Sequence, residues 1–312
     1  MNNMNKLTQF QEEQYQKFLE NQPRKIPGDW NDPRYKKPNM VADYKDLHLN
    51  VKKAKSLENY KNTSVIYQIL VYNFCDGNDD GIGDFIGLKS KLDYIDQLGV
   101  DQILLSPIAP SSSYHGYDVI NYCDVASQLG GMDAFVDFLS AAHEKGIKVY
   151  LDLVFNHTSY EHIWFQNALL DKGKAKNFYR FVDIKLDDDI KQDDQAIIDH
   201  YNLDKEPTNR YYLARFGQQM PDLNLDNSEV IEQLEQIQMF WTAIGVDGFR
   251  YDAVSEYFSS EIETKNNFSE QEIFRRLRMA SRSAGNDNIF MMGEWISSDP
   301  IIRITILWDT FF

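Results

Sequence analysis

The amino-acid sequence predicts an α/β fold built on a parallel sheet, and three observations carry that reading. Apolar, β-branched runs recur along the chain, an amphipathic helical pattern follows each of the first four, and a glycine stands between each helix and the next run. The first run is Val65-Ile66-Tyr67-Gln68-Ile69-Leu70-Val71, whose continuous apolarity suits a strand buried on both faces. Leu88, Leu92, Ile95 and Leu98 then fall on one helical face, Gly99 supplies a left-handed stop, and Ile103-Leu104-Leu105 is the second strand. Phe135, Phe138, Leu139 and Ala142 repeat the helix, ended by Gly146 and the strand Val149-Tyr150-Leu151. Val230, Leu234, Ile237 and Ile244 repeat it again, ended by Gly245 and Gly248-Phe249-Arg250-Tyr251. A last helix near residues 270–280 passes Gly285 to Ile289-Phe290-Met291-Met292. Five strands joined by four helical crossovers result, and crossovers of this kind are right-handed.

One interval breaks the rhythm. The stretch from Val154 to Ser228 is too long for a structureless loop and is acidic around Asp187–Asp194, so it reads as an inserted small domain. The first 62 residues are rich in Asn, Gln and Lys and carry Pro23, Pro27, Pro33 and Pro38; Gln9–Glu20 suits one polar helix. The expected organisation is an extension over 1–62, a first barrel part over 63–157, an inserted domain over 158–226 and a continuation over 227–312.

Composition narrows the function classes. The 312 residues are 43% hydrophobic and 26% charged, which disfavours disorder, fibres and disulfide scaffolds. With 32 basic against 48 acidic residues the net charge is −16, which repels phosphate backbones and argues against nucleic acid, but not against cations or neutral sugars. Two cysteines, Cys75 and Cys123, build no disulfide framework, and Met1–Glu20 lacks the apolar stretch of a signal peptide. No apolar run approaches the roughly 20 residues of a membrane span. A soluble, cytoplasmic protein is expected.

In parallel α/β folds, ligands bind at the carboxyl ends of the strands. Those ends here carry Asp76–Asp84, His115-Gly116-Tyr117-Asp118, Asn156-His157, Arg250 with Asp252, and Glu294-Trp295. Asp252 and Glu294 are the sharpest pair, because neighbouring strands lie about 4.8 Å apart and equivalent strand ends bring two carboxylates close. A separation near 5 Å is the geometry of a retaining glycosidase, one carboxylate as nucleophile and the other as acid and then base. Arg250 points to the same side as Asp252 and is expected to hold it ionised, whereas Trp295 beside Glu294 is expected to raise the acid's pKa.

The loop Asp76-Gly77-Asn78-Asp79-Asp80-Gly81-Ile82-Gly83-Asp84 sets an oxygen at every second position between glycines. Asp76, Asn78, Asp80, the Ile82 carbonyl and Asp84 suit Ca²⁺, and Mg²⁺ less well. The same loop also reads as a polar turn that caps the next helix through Asp84.

At these residues the chain resembles glycoside hydrolase family 13, the α-amylase family. The resemblance runs from about Val65 to Trp295 on Asp152-Leu153-Val154-Phe155-Asn156-His157, Gly248-Phe249-Arg250-Tyr251-Asp252-Ala253 and Gly293-Glu294-Trp295. The calcium loop, Gly116-Tyr117-Asp118 and Met220-Pro221-Asp222-Leu223-Asn224 match as well, the last near the end of the family's inserted domain B. The resemblance implies a (β/α)8 TIM-barrel type, with strands one to five present. It implies Asp252 as nucleophile and Glu294 as acid/base, and Tyr117, His157 and Arg250 lining the subsite of the sugar under attack, with Asp118 nearby. Asp152 matches an acidic position of mainly structural role. Ala253 and the Met-Pro-Asp-Leu-Asn form look like enzymes acting on α-1,4 links more than oligo-1,6-glucosidases. Many α-amylases carry a calcium-ligating histidine where Glu256 stands, so a second calcium site is not implied.

The family's Asn-His-Asp motif after the seventh strand has no counterpart here, and the tail Ile301–Phe312 does not resemble the family. A truncated or frameshifted product is the expectation, with unpaired sheet edges at the first and fifth strands. The leading reading is therefore a retaining hydrolase of α-1,4-glucans or malto-oligosaccharides. A transglycosylase or isomerase of the same family, such as a glucanotransferase or trehalose synthase, and an inactive sugar-binding fragment are the alternatives.

Overall fold

Regular alternation of strand and helix is what the computed structural model shows over the residues it describes, 64–183, 197–199, 210–257, 270–295 and 306–307. The extension over 1–62, the proposed helix within it and the acidic Asp187–Asp194 run lie outside the described residues.

The chain opens with β1 (Ile66–Ile69), α1 (Phe85–Ser90) and α2 (Leu92–Gln97), two short helices where the pattern suggests one. β2 (Gln102–Leu105), α3 (Gly131–Glu144) and β3 (Lys148–Leu153) follow. Then come α4 (Ile163–Leu169) and a small antiparallel sheet of β4 (Phe181–Asp183), β5 (Ile197–Asp199) and β6 (Arg210–Leu213), in the order β4-β6-β5. The alternation resumes with α5 (Ser228–Ile244), β7 (Gly248–Tyr251), α6 (Glu270–Ser283), β8 (Phe290–Gly293) and β9 (Ile306–Leu307).

The main sheet has the order β1-β2-β3-β7-β8-β9. The first five run parallel, as expected, but β9 pairs antiparallel with β8 through Met292–Leu307 and Gly293–Ile306. The edge of the fifth parallel strand is thus occupied by a later piece of the same chain, which corrects the expectation of an unpaired edge there. Two extended residues suffice because an edge strand offers a ready row of N–H and C=O groups.

One face of the sheet packs on the helices. Ile103, Leu105, Val149, Leu151, Phe249, Tyr251 and Met291 alternate along their strands and are at most 2% exposed. They meet the apolar stripes that set the helical period, such as Phe135, Phe138 and Leu139 of α3, Leu234 and Ile237 of α5, and Ile273 and Leu277 of α6, none of them measurably exposed. Burying a side chain of this size contributes about 1.5–3 kcal/mol. Polar groups in this layer are paired: the Tyr251 hydroxyl donates to Gln238 Oε1 at 2.7 Å, and Gln238 Nε2 donates to the Leu277 carbonyl at 2.7 Å. α5 stops at Gly245, whose φ of 115° is open to glycine, and the N–H there closes onto Thr242.

The opposite face carries the site. Register sets Tyr150 beside Gly248 and Gly248 beside Phe290, so the two rings stack across the glycine with centroids 4.7 Å apart. A Cβ on Gly248 would lie 2.7 Å from both the Phe290 Cβ and the Tyr150 ring, so only glycine lets this floor close. One step on, Asp152 stands beside Arg250 and Arg250 beside Met292; the next step is Asp252 and Glu294. No helix among the described residues is long and apolar enough to cross a membrane.

Candidate active site

Two backbone bonds carry the ladder past the strand ends: Asp252 N–H donates to the Leu153 carbonyl at 3.0 Å, and Glu294 N–H to the Tyr251 carbonyl at 2.9 Å. These hold the two carboxylates on adjacent strands at one level. Immediately after Asp252 the chain turns sharply. Ala253 is buried in the left-handed region, at φ 49° and ψ 41°, a conformation that costs a non-glycine residue about 1–2 kcal/mol. The turn aims the Ala253 N–H at Glu294 Oε2, 3.3 Å away.

One guanidinium gathers three carboxylates. Arg250 Nη1 lies against Asp152 Oδ2 and 3.2 Å from Asp252 Oδ1, and Nη2 is 2.7 Å from Glu294 Oε1. Burial works against the charge of Arg250, but its acidic neighbours outweigh burial and keep it ionised. Burial raises Asp152 to about 6, against the pull of Arg250 and of the Tyr117 hydroxyl, which donates to Oδ2 at 3.1 Å. Asp252 is pushed well above the usual carboxylate range, first by burial and then by the charge of Asp152; Arg250 opposes this without cancelling it. The expectation that Arg250 simply keeps Asp252 ionised is corrected accordingly. Three negative charges around one positive charge leave the cluster short of a full set of ionised carboxylates, so it retains a proton near neutrality.

Tyr117 and His157 frame this cluster. His157 Nε2 lies 3.2 Å from the Tyr117 carbonyl, its ring packs 5.0 Å from that of Phe216, and burial lowers its pKa to about 4, so it is neutral. The returning segment Met220–Asn224 closes on it: Leu223 N–H donates to the Asn156 carbonyl at 2.8 Å, and Thr158 N–H to that of Pro221 at 3.1 Å. Arg215, which no sequence signal marked, ties the same segment to the loop after Asp252, with Nη1 3.0 Å from Glu256 Oε2 and Nε 3.5 Å from Asp222 Oδ2. Asp118 is buried and accepts the hydroxyls of Ser111, Ser112 and Ser113. Burial raises its pKa, and the three hydroxyls more than offset that, leaving it low.

The acidic loop lies at the end of β1. Asp76 Oδ1 accepts the N–H groups of Asn78 at 3.0 Å and Asp79 at 2.8 Å, and Oδ2 that of Gly81 at 2.7 Å, which together lower its pKa. Asp80 Oδ1 accepts the Ile82 N–H at 2.8 Å. Asp84 caps α1 by accepting the Gly87 N–H at 2.7 Å, so the capping reading of this residue holds. Among the described residues no three His, Cys, Asp or Glu side chains gather into a metal cluster.

This arrangement coincides with a family model. The catalytic-domain model of alpha amylase matches residues 68–307. The chain belongs to the alpha-amylase family. The match runs beyond Trp295 and takes in part of the tail that had no visible likeness. Among curated relatives, 4-alpha-glucanotransferase of Thermotoga neapolitana is 39% identical over 211 residues, 63% of this chain and 47% of that protein. Alpha-amylase 3 of Dictyoglomus thermophilum is 41% identical over 204 residues, 65% of this chain and 38% of that protein. Among solved structures, Amy13B of Eubacterium rectale superposes with a TM-score of 0.64 at 33% identity, over 74% of this chain and 44% of that one. The chain spans less than half the length of these relatives. Its five parallel strands and intervening helices are part of the family's TIM-barrel architecture.

Proposed function

We propose that this domain carries the nucleophile and the acid/base of a retaining enzyme acting on α-1,4-linked glucans or malto-oligosaccharides. The observation that carries the reading is the Asp252–Arg250–Glu294 arrangement, two carboxylates on adjacent strand ends held by the two nitrogens of one guanidinium. Asp252 attacks the anomeric carbon while Glu294 gives its proton to the departing glycosidic oxygen, forming a glycosyl ester. Glu294, now a carboxylate, takes a proton from the acceptor, whose oxygen displaces Asp252 and restores both groups. A sugar bound between Asp252 and Glu294 lies beside Arg250, with Tyr117, Asp118 and His157 as the wall around it.

Water as acceptor makes the enzyme a hydrolase. A second reading, with a sugar hydroxyl as acceptor, has specific support in the 39% identity to a 4-alpha-glucanotransferase. An assay on a coloured α-glucan tests the common chemistry: Asp252→Asn and Glu294→Gln are each expected to lose about three orders of magnitude or more. Equal activity in the parent and both variants overturns the assignment. Products longer than the substrate, from maltoheptaose alone, identify transfer.

The reading includes a Ca²⁺ held by Asp76, Asn78, Asp80, the Ile82 carbonyl and Asp84, with Mg²⁺ a poorer fit. The donors are hard oxygens at alternate positions, and Gly81 at φ 88° takes the sixth place, where calcium loops need a sharp turn. Bonds from backbone N–H groups occupy one side of these oxygens and fix the wrap. The ion would brace the loop and takes no part in the chemistry. A cytoplasmic location belongs to the same proposal, supported by the absence of a disulfide between Cys75 and Cys123.

A further inference from the structure

The two edges of the main sheet differ. β9 covers the edge of β8, whereas β1 ends the strand order on the other side, with no strand beyond it among the described residues. An uncovered edge is a row of backbone donors and acceptors open to another chain. The side chains around this edge are apolar and exposed as well. Val65 and Ile66 are 52% and 36% exposed, although they begin a run whose composition suits burial on both faces. On the helices that follow, Ile86 of α1 and Tyr94 of α2 are each 51% exposed, and Leu98, just past α2, is 52% exposed. These three recur at multiples of four residues and so share one side of the helical path, while Phe85, Leu88, Leu92 and Ile95 take the core side. The Val65 N–H donates to Asp101 Oδ1 at 2.8 Å, which brings the start of β1 to the connection after α2. Five of the eight large hydrophobic side chains exposed among the described residues thus belong to one strand edge and the helix pair beside it. Scattered exposed hydrophobics call for no explanation, but a cluster of them marks an interaction surface.

Two features say what covers this face. The first is closure. Another copy of the chain meets β1 along its own β1 or along its β8. The β8 edge is taken by β9, which blocks the head-to-tail joining of β1 to β8 that would propagate without end. The joining of β1 to β1 remains, and a twofold axis through that contact makes the two strands run antiparallel and closes the assembly at two chains. The second feature is charge. At −16 per chain, two copies repel unless the contact matches charge locally. The helix pair supplies that match: Lys89 and Lys91 lie at the end of α1, and Asp93 and Asp96 lie on α2. Turned antiparallel, the basic part of one copy faces the acidic part of the other. The Asp93 and Asp96 side chains are 80% and 56% exposed and stay reachable beside Lys145.

We infer that β1 and the exposed face of α1 and α2 form the interface of a symmetric dimer, the two β1 strands pairing antiparallel and the helix pairs packing side by side. The partner is a second copy of this chain. The inference is independent of the catalytic reading, since Asp252 and Glu294 follow β7 and β8, away from the β1 edge.

Sedimentation velocity on the full chain over a concentration series tests this. One species of twice the chain mass is expected, with no larger assembly. Leu98→Glu and Tyr94→Glu are each expected to weaken the dimer about tenfold or more, because each sets a charge in an apolar contact. Circular dichroism and thermal melting check that these exposed substitutions leave the fold intact. Lys91→Glu and Asp93→Lys are each expected to weaken the dimer alone and to recover most of the loss together, which a merely adhesive apolar patch would not do. A single-chain mass at every concentration overturns the inference, and so does a dimer that Leu98→Glu and Tyr94→Glu leave unaltered. Assemblies that grow beyond two chains overturn the closed arrangement, and failure of the charge exchange to recover overturns the antiparallel one.

Discussion

Strand β7 bears an acidic residue just outside each end, and the two live in opposite circumstances. Asp247, before the strand, accepts His143 Nε2 at 2.8 Å and the Val149 N–H at 2.9 Å on one oxygen, and so fastens α3 and β3 to the lower rim. Asp252, after the strand, shares one guanidinium with two other carboxylates and is followed by a left-handed alanine. The same residue type is fully matched by donors at one end of the strand, and crowded and short of positive charge at the other. Matched donors at one end and electrostatic crowding at the other fit the division between a stabilising face and an active face that barrels of this kind make.

Removing Arg250 breaks the comparison most severely. Arg250→Met leaves the buried Asp152 and Asp252 and the half-buried Glu294 without their cation, and a loss of about 3–5 kcal/mol is expected in urea denaturation at neutral pH. Acid should recover part of it, because protonation then relieves the repulsion; a variant as stable as the parent at pH 7 would show that the guanidinium is not what holds the cluster.

The next largest effect is in pH dependence. Asp152 has a folded pKa of about 6 against an ordinary 3.8, so the stability it contributes is complete below about 3.8 and is lost as pH rises through 6. Asp152→Asn should remove that fall, on the order of 2–3 kcal/mol between pH 4 and 7, when unfolding free energies of the two chains are compared point by point. His157, lowered to about 4 by burial, works the other way over nearly the same range, and the comparison between chains cancels it.

At the lower rim, Asp247→Ala should cost about 2 kcal/mol by stranding the Val149 N–H and His143, and leave glucose affinity unaltered. A changed affinity would mean that the two ends of β7 are not independent. The smallest effect is a gain: Ala253→Gly should relieve the left-handed strain and stabilise the chain by about 1 kcal/mol or less, seen as a higher melting temperature. A loss of stability would place the strain elsewhere.

Much of this was legible beforehand. Strands one to five, the helices between them and the stopping glycines follow from periodicity, since a half-buried element must repeat its apolar residues at its own pitch. Asp252, Glu294, Arg250, Tyr117 and His157 were legible as strand-end residues and do stand around one point. Other features were not. β9 joins the edge of β8 because an edge strand recruits whatever extended backbone is near, which no local pattern announces. Arg215 meets Asp222 and Glu256 across the inserted segment, a pairing without sequence proximity. Asp152 entered through the resemblance alone, as an acidic position of mainly structural role, and only the β3–β7 register sets it beside Arg250. The run Ser111-Ser112-Ser113 ahead of Asp118 shows three hydroxyls in a row, but only the folded loop turns all three onto one carboxylate.

By itself the sequence determined which residues reach the active end of the sheet, because strand alternation and glycine stops are local properties written within a few residues. The tertiary structure alone decided how those residues share charge. Proton affinity depends on burial and on neighbours a few ångströms away, and here Asp152, Arg250 and Glu294 come from three strands whose adjacency no local stretch of chain encodes.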